Sequence, residues 1–413
     1  MRKVIIIILI LVNVQDWLSC QENLLTIDRA VQMALDRNPG LNREREVLSQ
    51  KKEQWRTLTG IGSPEVIYMK EGINNEEPNP YSEQRYAVSQ TVEFPVAAAF
   101  RIQSARKEVV AQEMRIRAIE KELTINVKGK YVEILFANHL QRLRRQQIEL
   151  AGNLYKAVYS KFETGLGNGI DLIKAEIQVA EAQNDLDESE ITLHKARYGL
   201  FNFIGLNPEE QKYSILFTDS LRAYEERISQ QQALNSLESQ PLFKAAAAEV
   251  EAAGILIRAE KNKIFPDLRF DLYRQDFGNG FKFNGFEIGL KFPLWYGLDL
   301  KGNIKNAVSN KEQLLLNQQS VKLDLKKEVE YAWHGYITSK STLERFQSTI
   351  KEKADKLQAL TIEAYRLGEI DLLNLINAQQ IYLNSQLRYI TALRDYYLQM
   401  VNLEKFLDIE IVY

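Results

Sequence analysis

The chain has 413 residues, with 53 lysines and arginines, 55 aspartates and glutamates, and a single cysteine. This near balance of charge excludes the strong basic field that a nucleic-acid partner needs, and one cysteine excludes an intrachain disulfide. Composition therefore leaves the function to be inferred from patterns along the chain.

The first twenty residues predict an export signal. Arg2 and Lys3 precede an unbroken apolar run at residues 4–12, and Cys20 follows. We therefore expect the mature chain outside the cytoplasm, and no later segment reaches the ~20 apolar residues of a membrane-spanning helix. Cys20 is a candidate lipidation site, and the alternative is a cysteine removed together with signal residues 1–20.

The second half of the chain repeats the first. Residues 162–203 align without a gap with residues 365–406, which places Gly165 opposite Gly368. Of the nine prolines, three pairs also stand at equivalent places: Pro39 and Pro241, Pro64 and Pro266, Pro95 and Pro293. Internal duplication predicts three parts, a first repeat at 21–206, a linker at 207–230 and a second repeat at 231–413.

Each repeat ends in a proline-free stretch, at residues 96–207 and 294–413, that is rich in helix-favouring residues. Each stretch predicts a long helical hairpin, which turns near Gly165 in the first repeat and near Gly368 in the second. Large and small residues alternate at heptad spacing along the returning arms. Parallel seams of this kind imply neighbouring helices on both sides, although an ordinary four-helix bundle would also satisfy the pattern.

Between the corner prolines the hydrophobic period changes to two. This alternation predicts a strand pair in each repeat, at residues 64–72 and 84–95 and at residues 266–277 and 285–293. Strands of about ten residues with one apolar face are typical of transmembrane barrels. Four strands cannot close a barrel, so several copies would have to share one. The alternative is two amphipathic hairpins packed on the helices of a soluble α+β protein.

The order of helix, strand pair and long hairpin, repeated behind an export signal, resembles the TolC family of outer-membrane efflux proteins. The resemblance spans about residues 25–408, and its motifs are Asn38-Pro39, Gln240-Pro241, Phe265-Pro266 and the turn segments 162–166 and 365–369. It implies a mainly α fold with a β-barrel part, in which long helical hairpins of an internally duplicated chain form a trimeric α-barrel. Four strands per subunit would complete a 12-stranded transmembrane β-barrel. The chain looks most like the branch that serves resistance-nodulation-division pumps.

The same resemblance implies a function. Such a protein is the passive exit channel of a tripartite efflux system, a homotrimer in outer-membrane lipid with a large periplasmic portion. Its partners would be a periplasmic adaptor protein and an inner-membrane pump, of the resistance-nodulation-division type rather than the ABC type. The alternatives are the exit duct of a type I protein-secretion system and, in a different class, a soluble periplasmic coiled-coil structural or adaptor protein.

In proteins of this family the adaptor meets the two hairpin turns. By residue match, the resemblance assigns the docking tip to Thr164, Gly165, Leu166, Leu367, Gly368 and Glu369. The alternative is that the two glycines only terminate helices, as any helical hairpin requires.

The resemblance also places acidic residues at the pore entrance, just beyond the turns. Asp171 fits that pattern in the first repeat, whereas the second has Asn374 and Asn377 at the expected positions and Asp371 as a nearby acid. A threefold ring of carboxylates in a narrow pore would attract cations. The alternative for both aspartates is an interaction with the positive N-terminal end of the following helix.

The chain carries no pattern typical of catalysis. The three histidines, His139, His194 and His334, fall in separate helical stretches without metal-ligand spacing, and there is no nucleophile elbow, phosphate loop or zinc motif. We predict no enzymatic activity, no cofactor and no metal site.

Overall fold

A computed structural model describes residues 24–73, 81–165, 167–206, 216–217, 229–278, 280–294, 299–407 and 411–412. The predicted export signal, Cys20 and most of the predicted linker lie outside the described residues.

The first half of the chain is dominated by one very long helix. Two short helices, α1 (Ile27–Arg37) and α2 (Pro39–Glu53), lead into a 3₁₀ turn at Gln54–Leu58. Helix α3 (Pro95–Glu163) then runs for 69 residues, and α4 (Gly169–Phe203) returns over 35. Pro39 and Pro95 each occupy the first position of their helix, where the missing N–H costs no hydrogen bond.

The second half repeats this order with one interruption. Helix α5 (Gln230–Asn235) and a 3₁₀ turn at Leu237–Ser239 precede α6 (Pro241–Asn262), and the long arm follows. This arm comprises α7 (Asp299–Arg345), a π-helical turn at Phe346–Ile350 and α8 (Lys351–Leu367), after which α9 (Leu372–Glu404) returns. The two long arms therefore differ in backbone geometry, because α3 contains no such turn.

Two compact units divide the chain, and they do not coincide with the predicted repeats. One comprises Met1–Asn42, Ile119–Ser236 and Lys326–Tyr413, and the other comprises Arg43–Ala118 and Leu237–Leu325. Each unit draws on both repeats, because the long arms α3 and α7 each contribute residues to both units. The predicted repeat and linker boundaries remain a sequence prediction.

The unit formed by Arg43–Ala118 and Leu237–Leu325 contains an antiparallel sheet of four strands. These are β2 (Glu65–Glu71), β3 (Glu83–Val92), β5 (Asp267–Asp276) and β6 (Lys282–Lys291), paired in the order β2-β3-β5-β6. They overlap the four ranges in which the alternating pattern predicts strands. The central pairing of β3 with β5 joins the two repeats in one sheet.

One face of this sheet is apolar and exposed. Val66, Val88, Leu272 and Phe286 form one row across all four strands. The exposed fraction of the large side chains on this face ranges from 41% for Phe270 to 80% for Val66, and the set is Val66, Tyr68, Tyr86, Val88, Phe270, Leu272, Phe286, Ile288 and Leu290. A continuous apolar surface of this kind is typical of a membrane or protein contact.

The opposite face of the sheet carries the charges. Asp271 is only 5% exposed, and the Arg269 Nε donates to its Oδ2 atom at 3.0 Å. Arg85 lies 3.7 Å from Glu287 on the same face. A carboxylate is therefore buried on one face while large hydrocarbon side chains are exposed on the other, which is the inverse of a sheet packed in a soluble protein.

The other unit secures both ends of the described chain on helix α3. The Lys128 ammonium, 1% exposed, donates to Glu404 Oε1 at 2.5 Å and to the Val412 carbonyl at 2.8 Å. Near it the Tyr131 hydroxyl donates to the Leu25 carbonyl at 2.7 Å. Leu25 belongs to β1 (Leu24–Leu25), which pairs in parallel with β4 (Leu216–Phe217).

Among the described residues, none of the helices combines the length and the apolar composition needed to cross a bilayer.

Replacing Lys128 by Met should destabilise the protein strongly, because the carboxylate of Glu404 would stay buried without its cation. Breaking a buried pair in this way costs about 3–5 kcal/mol. The matched control is Lys130→Met, which breaks the more exposed pair with Glu133, at 2.9 Å, and should cost less than about 1 kcal/mol. Thermal unfolding followed by circular dichroism compares the two variants, and equal shifts of the midpoint would contradict the role given to Lys128.

Candidate functional site

The first hairpin turn follows the end of α3 at Glu163. Gly165 adopts a left-handed backbone conformation with φ of 72°, and its N–H donates to the Phe162 carbonyl at 3.0 Å. A Cβ atom on Gly165 would meet nothing within 4 Å, so glycine is favoured here by backbone conformation and not by crowding. Thr164 caps the helix end through a hydroxyl bond to the Ser160 carbonyl at 3.1 Å, and Leu166 lies outside the described residues.

Gly167 is a turn residue that the sequence did not single out. A Cβ atom built there would stand 2.8 Å from the backbone nitrogen of Phe162. The chain at Gly167 passes so close to the last residues of α3 that only glycine fits without a shift of the backbone. Three glycines within five residues, Gly165, Gly167 and Gly169, signal a turn but do not reveal which of them is crowded.

The second hairpin turn ends α8 with a Schellman arrangement. Gly368 has a φ of 79°, and its N–H donates to the Tyr365 carbonyl at 3.1 Å. The next N–H, of Glu369, reaches back to the Ala364 carbonyl at 2.8 Å. Leu367 is 66% exposed beside this turn, so the second tip presents an apolar side chain to its surroundings.

The two returning helices begin with the same type of N-terminal cap. The capping side chain is an amide in the first and a carboxylate in the second, and the residue three positions later is a carboxylate in the first and an amide in the second. Asn168 caps α4 by accepting from the Asp171 N–H at 2.8 Å, and its amide donates to the Asp171 carboxylate at 3.1 Å. In α9 it is Asp371 that caps the helix, accepting from the Asn374 N–H at 2.9 Å. Each cap therefore contains one carboxylate, and the second repeat holds its acid at the cap position.

The two turns lie side by side on a shared apolar cluster. Side chains from the end of the outgoing arm and from the beginning of both returning helices bury one another: Leu154, Val158, Ala175, Leu372, Leu375 and Ile376. Ile370, directly after the second turn, packs against the same cluster. The tips of the two predicted hairpins thus form a single structural site.

Charged side chains of the first hairpin interact with the second hairpin at this site. The Lys161 ammonium lies 4.2 Å above the centre of the Tyr365 ring, a cation–π contact. Burial raises the pKa of the Tyr365 hydroxyl, and the negative charge of Asp171 raises it further. Asp171 also lies 3.6 Å from Lys174, whereas the side chain of Asp371 is exposed. Both aspartates therefore take part in helix capping.

Within the part of the chain that the structure describes, no three histidine, cysteine, aspartate or glutamate side chains are grouped as metal ligands. The proposed lipidation residue Cys20 is outside the described residues. The described residues therefore offer two separate candidate features, the pair of helical turns in one unit and the charged face of the sheet in the other.

Comparisons with known proteins agree with this architecture. Residues 233–407 match the family model described as "Outer membrane efflux protein". A curated relative, the cobalt-zinc-cadmium resistance protein CzcC of Cupriavidus metallidurans, is 19% identical over 93% of this chain and 90% of its own length.

Solved structures of similar fold include two outer-membrane proteins. The CmeC outer membrane channel of Campylobacter jejuni has a TM-score of 0.78 at 16% identity, covering 93% of this chain and 85% of the channel. The outer membrane protein VceC of Vibrio cholerae has a TM-score of 0.78 at 14% identity, covering 92% of this chain and 95% of VceC. The fold class expected from the sequence, mainly α with a β-barrel part, is confirmed.

The family model over residues 233–407, and the relative and solved structures that extend the similarity along nearly the whole chain, agree with the resemblance to outer-membrane efflux channels found in the sequence.

Proposed function

We propose that this channel is the exit duct for divalent metal cations in a tripartite system driven by a resistance-nodulation-division pump. The observation that carries the duct is the inverted four-stranded sheet, whose apolar face suits lipid and whose charged face suits a water-filled lumen. The same sheet would suit the duct of a type I secretion system, and it is the relative CzcC, a metal-resistance protein, that favours metal efflux over secretion. The exposed apolar face disfavours a soluble periplasmic protein.

A barrel of this kind requires more than one copy of the chain. Strands β2 and β6 are the edges of the sheet, and unpaired edges in lipid cost several kcal/mol for each backbone group. Pairing of β6 in one copy with β2 in the next would close the ring. Members of this family are homotrimers that dock with an adaptor and an inner-membrane pump.

The two hairpin turns are the proposed docking tip for the periplasmic adaptor: Thr164, Gly165, Leu166, Leu367, Gly368 and Glu369. Exposed apolar side chains surround them, including Phe162, Ile170 and Leu367. An exposed apolar group on a rigid turn suits a protein contact, because burying it against a partner releases water without ordering a flexible loop.

Asp171 and Asp371 are the proposed acids of the pore entrance. Each stands at the start of a returning helix, next to the tip. Three copies would bring six carboxylates to the entrance, which would favour cations over anions. A metal-cation cargo is further supported by the relative from Cupriavidus metallidurans, which is a cobalt-zinc-cadmium resistance protein.

Deletion of the gene from its host should lower tolerance to zinc, cobalt and cadmium, and the intact chain should restore it. Asp171→Asn with Asp371→Asn should restore tolerance only in part, because the entrance loses its charge while asparagine still caps the second helix.

The matched control is Asn168→Asp with Asp171→Asn, which keeps the charge and gives the first turn the arrangement of the second. It should restore tolerance fully. Unchanged metal tolerance after deletion would contradict the cargo, and equal performance of all variants would contradict the role of the two acids.

Cysteines at Thr164 and at Leu367 should crosslink to the adaptor in intact cells, because both side chains are exposed at the proposed tip. Leu323→Cys is the control, since Leu323 is equally exposed at 68% but lies in α7, far along the chain from either turn. Immunoblots of adaptor adducts measure the result. Capture of the adaptor from position 323 but from neither turn would contradict the docking tip.

A further inference from the structure

On both faces of the sheet, the type of side chain changes at the end where the strands meet the hairpin loops. Strands β2 and β5 follow helical segments along the chain and lead into the hairpin loops, so each strand pair has a helical end and a loop end. We call the exposed apolar face of the sheet the lipid-type face. In β5 and β6 its apolar rows end with Leu272 and Phe286. In the next row β5 and β6 pair Arg274 with Asn284, beside Tyr86 and Tyr68 of the other two strands. The last row pairs Asp276 with Lys282 in an ion pair of 3.0 Å.

Aromatic side chains occupy the opposite, charged face at this same end. The Phe277 N–H donates to the Phe281 carbonyl at 3.1 Å, which extends the ladder one row beyond the paired strands. By the alternation of the strands, Phe277 and Phe281 share the face of Gln275 and Phe283 and of Tyr273 and Gly285. Four aromatic residues, Tyr273 and Phe283 in the strands and Phe277 and Phe281 just beyond them, therefore share the face that carries Asp271 and Glu287.

These aromatic rings form one contiguous cluster. The Phe277 and Phe283 rings stack with centroids 5.8 Å apart, and Phe281 lies 5.9 Å from Phe283. Tyr273 meets Phe283 edge to face at 6.2 Å. Phe281 nevertheless remains 63% exposed, so the cluster has not buried its own surface.

Close packing of Tyr273 against the backbone of β6 fixes the position of the cluster. Tyr273 lies across Gly285, where a Cβ atom would stand 2.5 Å from the ring. On its other side the Arg85 guanidinium lies 4.1 Å from the centre of the same ring, and Arg85 also pairs with Glu287. This arrangement fixes the aromatic cluster on the face that the proposed function assigns to the lumen.

We infer that the aromatic clusters of three copies form a constriction at the outer mouth of the channel, which slows the entry of bulky polar solutes from outside. The inference rests on the proposed barrel, since it requires that the charged face line a shared lumen. Lipid is not the partner of these rings, because they lie on the charged face and because β5 and β6 carry only polar side chains on the lipid-type face at the same rows. A ring of apolar side chains in a pore repels water and opposes the passage of hydrated solutes.

The test uses a cysteine deeper in the lumen, at Thr91. This residue is exposed, pairs with Arg269 on the charged face and stands at the helical end of β3. Thr91→Cys is labelled in intact cells by a small charged thiol reagent and by a bulky maleimide conjugate, both added outside. The chain without this substitution supplies the background, including any from Cys20.

The small reagent should react with Thr91→Cys, and the bulky reagent should react several-fold more slowly. Phe277→Ala with Phe281→Ala should remove this difference. The control pair, Phe286→Ala with Ile288→Ala, removes two large side chains from the lipid-type face and should leave the difference intact. Heat-sensitive trimers on gels verify that each variant is assembled.

Equal rates for the two reagents in the parent, or a bulky reagent that stays slow after the phenylalanines are removed, would overturn the constriction. A cysteine at position 91 that reacts with neither reagent would overturn the lumen itself, and the proposed duct with it.

Discussion

The central constraint on the structure is that its four-stranded sheet exposes an apolar face, which is unfavourable in water. The row Val66, Val88, Leu272 and Phe286 is exposed, while Asp271 and Arg269 are held together on the opposite face. Hydrocarbon on the outside costs about 25 cal/mol per Å² in water, and this cost disappears when lipid covers that face. The open edges of β2 and β6 add a second requirement, because backbone groups in lipid must be paired. Membrane location and oligomer closure both follow from these two requirements.

The long helices impose a second constraint on the structure. Neither hairpin needs its length for a compact core, and both end at one small apolar cluster shared by their turns. Gly165 and Gly368 reverse the chain in the same left-handed conformation, so the two tips are equivalent in backbone geometry. The side chains differ, since Gly167 is crowded by the first turn whereas Ile370 packs into the cluster beside the second. A partner that docks on both turns would therefore meet two related but unequal surfaces.

Much of this architecture was predictable from sequence, because its signals are local and repeated. The period of two located the four strands, and the proline-free stretches located the long hairpins. The exchange of Asn168 and Asp171 for Asp371 and Asn374 is also visible in the aligned repeats. Compared position by position, the repeats suggest that the second has lost an acid. The two positions are interchangeable because both belong to one helix cap, and this capping geometry appears only in the fold.

Other features depend on contacts between distant segments and had no local signal. The π-helical turn at Phe346–Ile350 lies in a stretch without proline or glycine, from which the sequence predicts one unbroken helix. Lys128 looks like a surface residue until Glu404 and Val412 are brought to it, and the crowding at Gly167 arises from the path of the turn. The compact units also combine parts of both repeats, which a duplication alone does not reveal.

The most direct test of the account is the environment of alternate residues along β5. Nitroxide labels on cysteines at Phe270 and Leu272 should be accessible to oxygen dissolved in the bilayer, and labels at Arg269 and Asp271 should be accessible to a water-soluble nickel chelate. Trimers reconstituted in lipid would then show a period of two in electron paramagnetic resonance relaxation. Equal access of the nickel chelate to all four positions would contradict a lipid-facing sheet and the channel built on it.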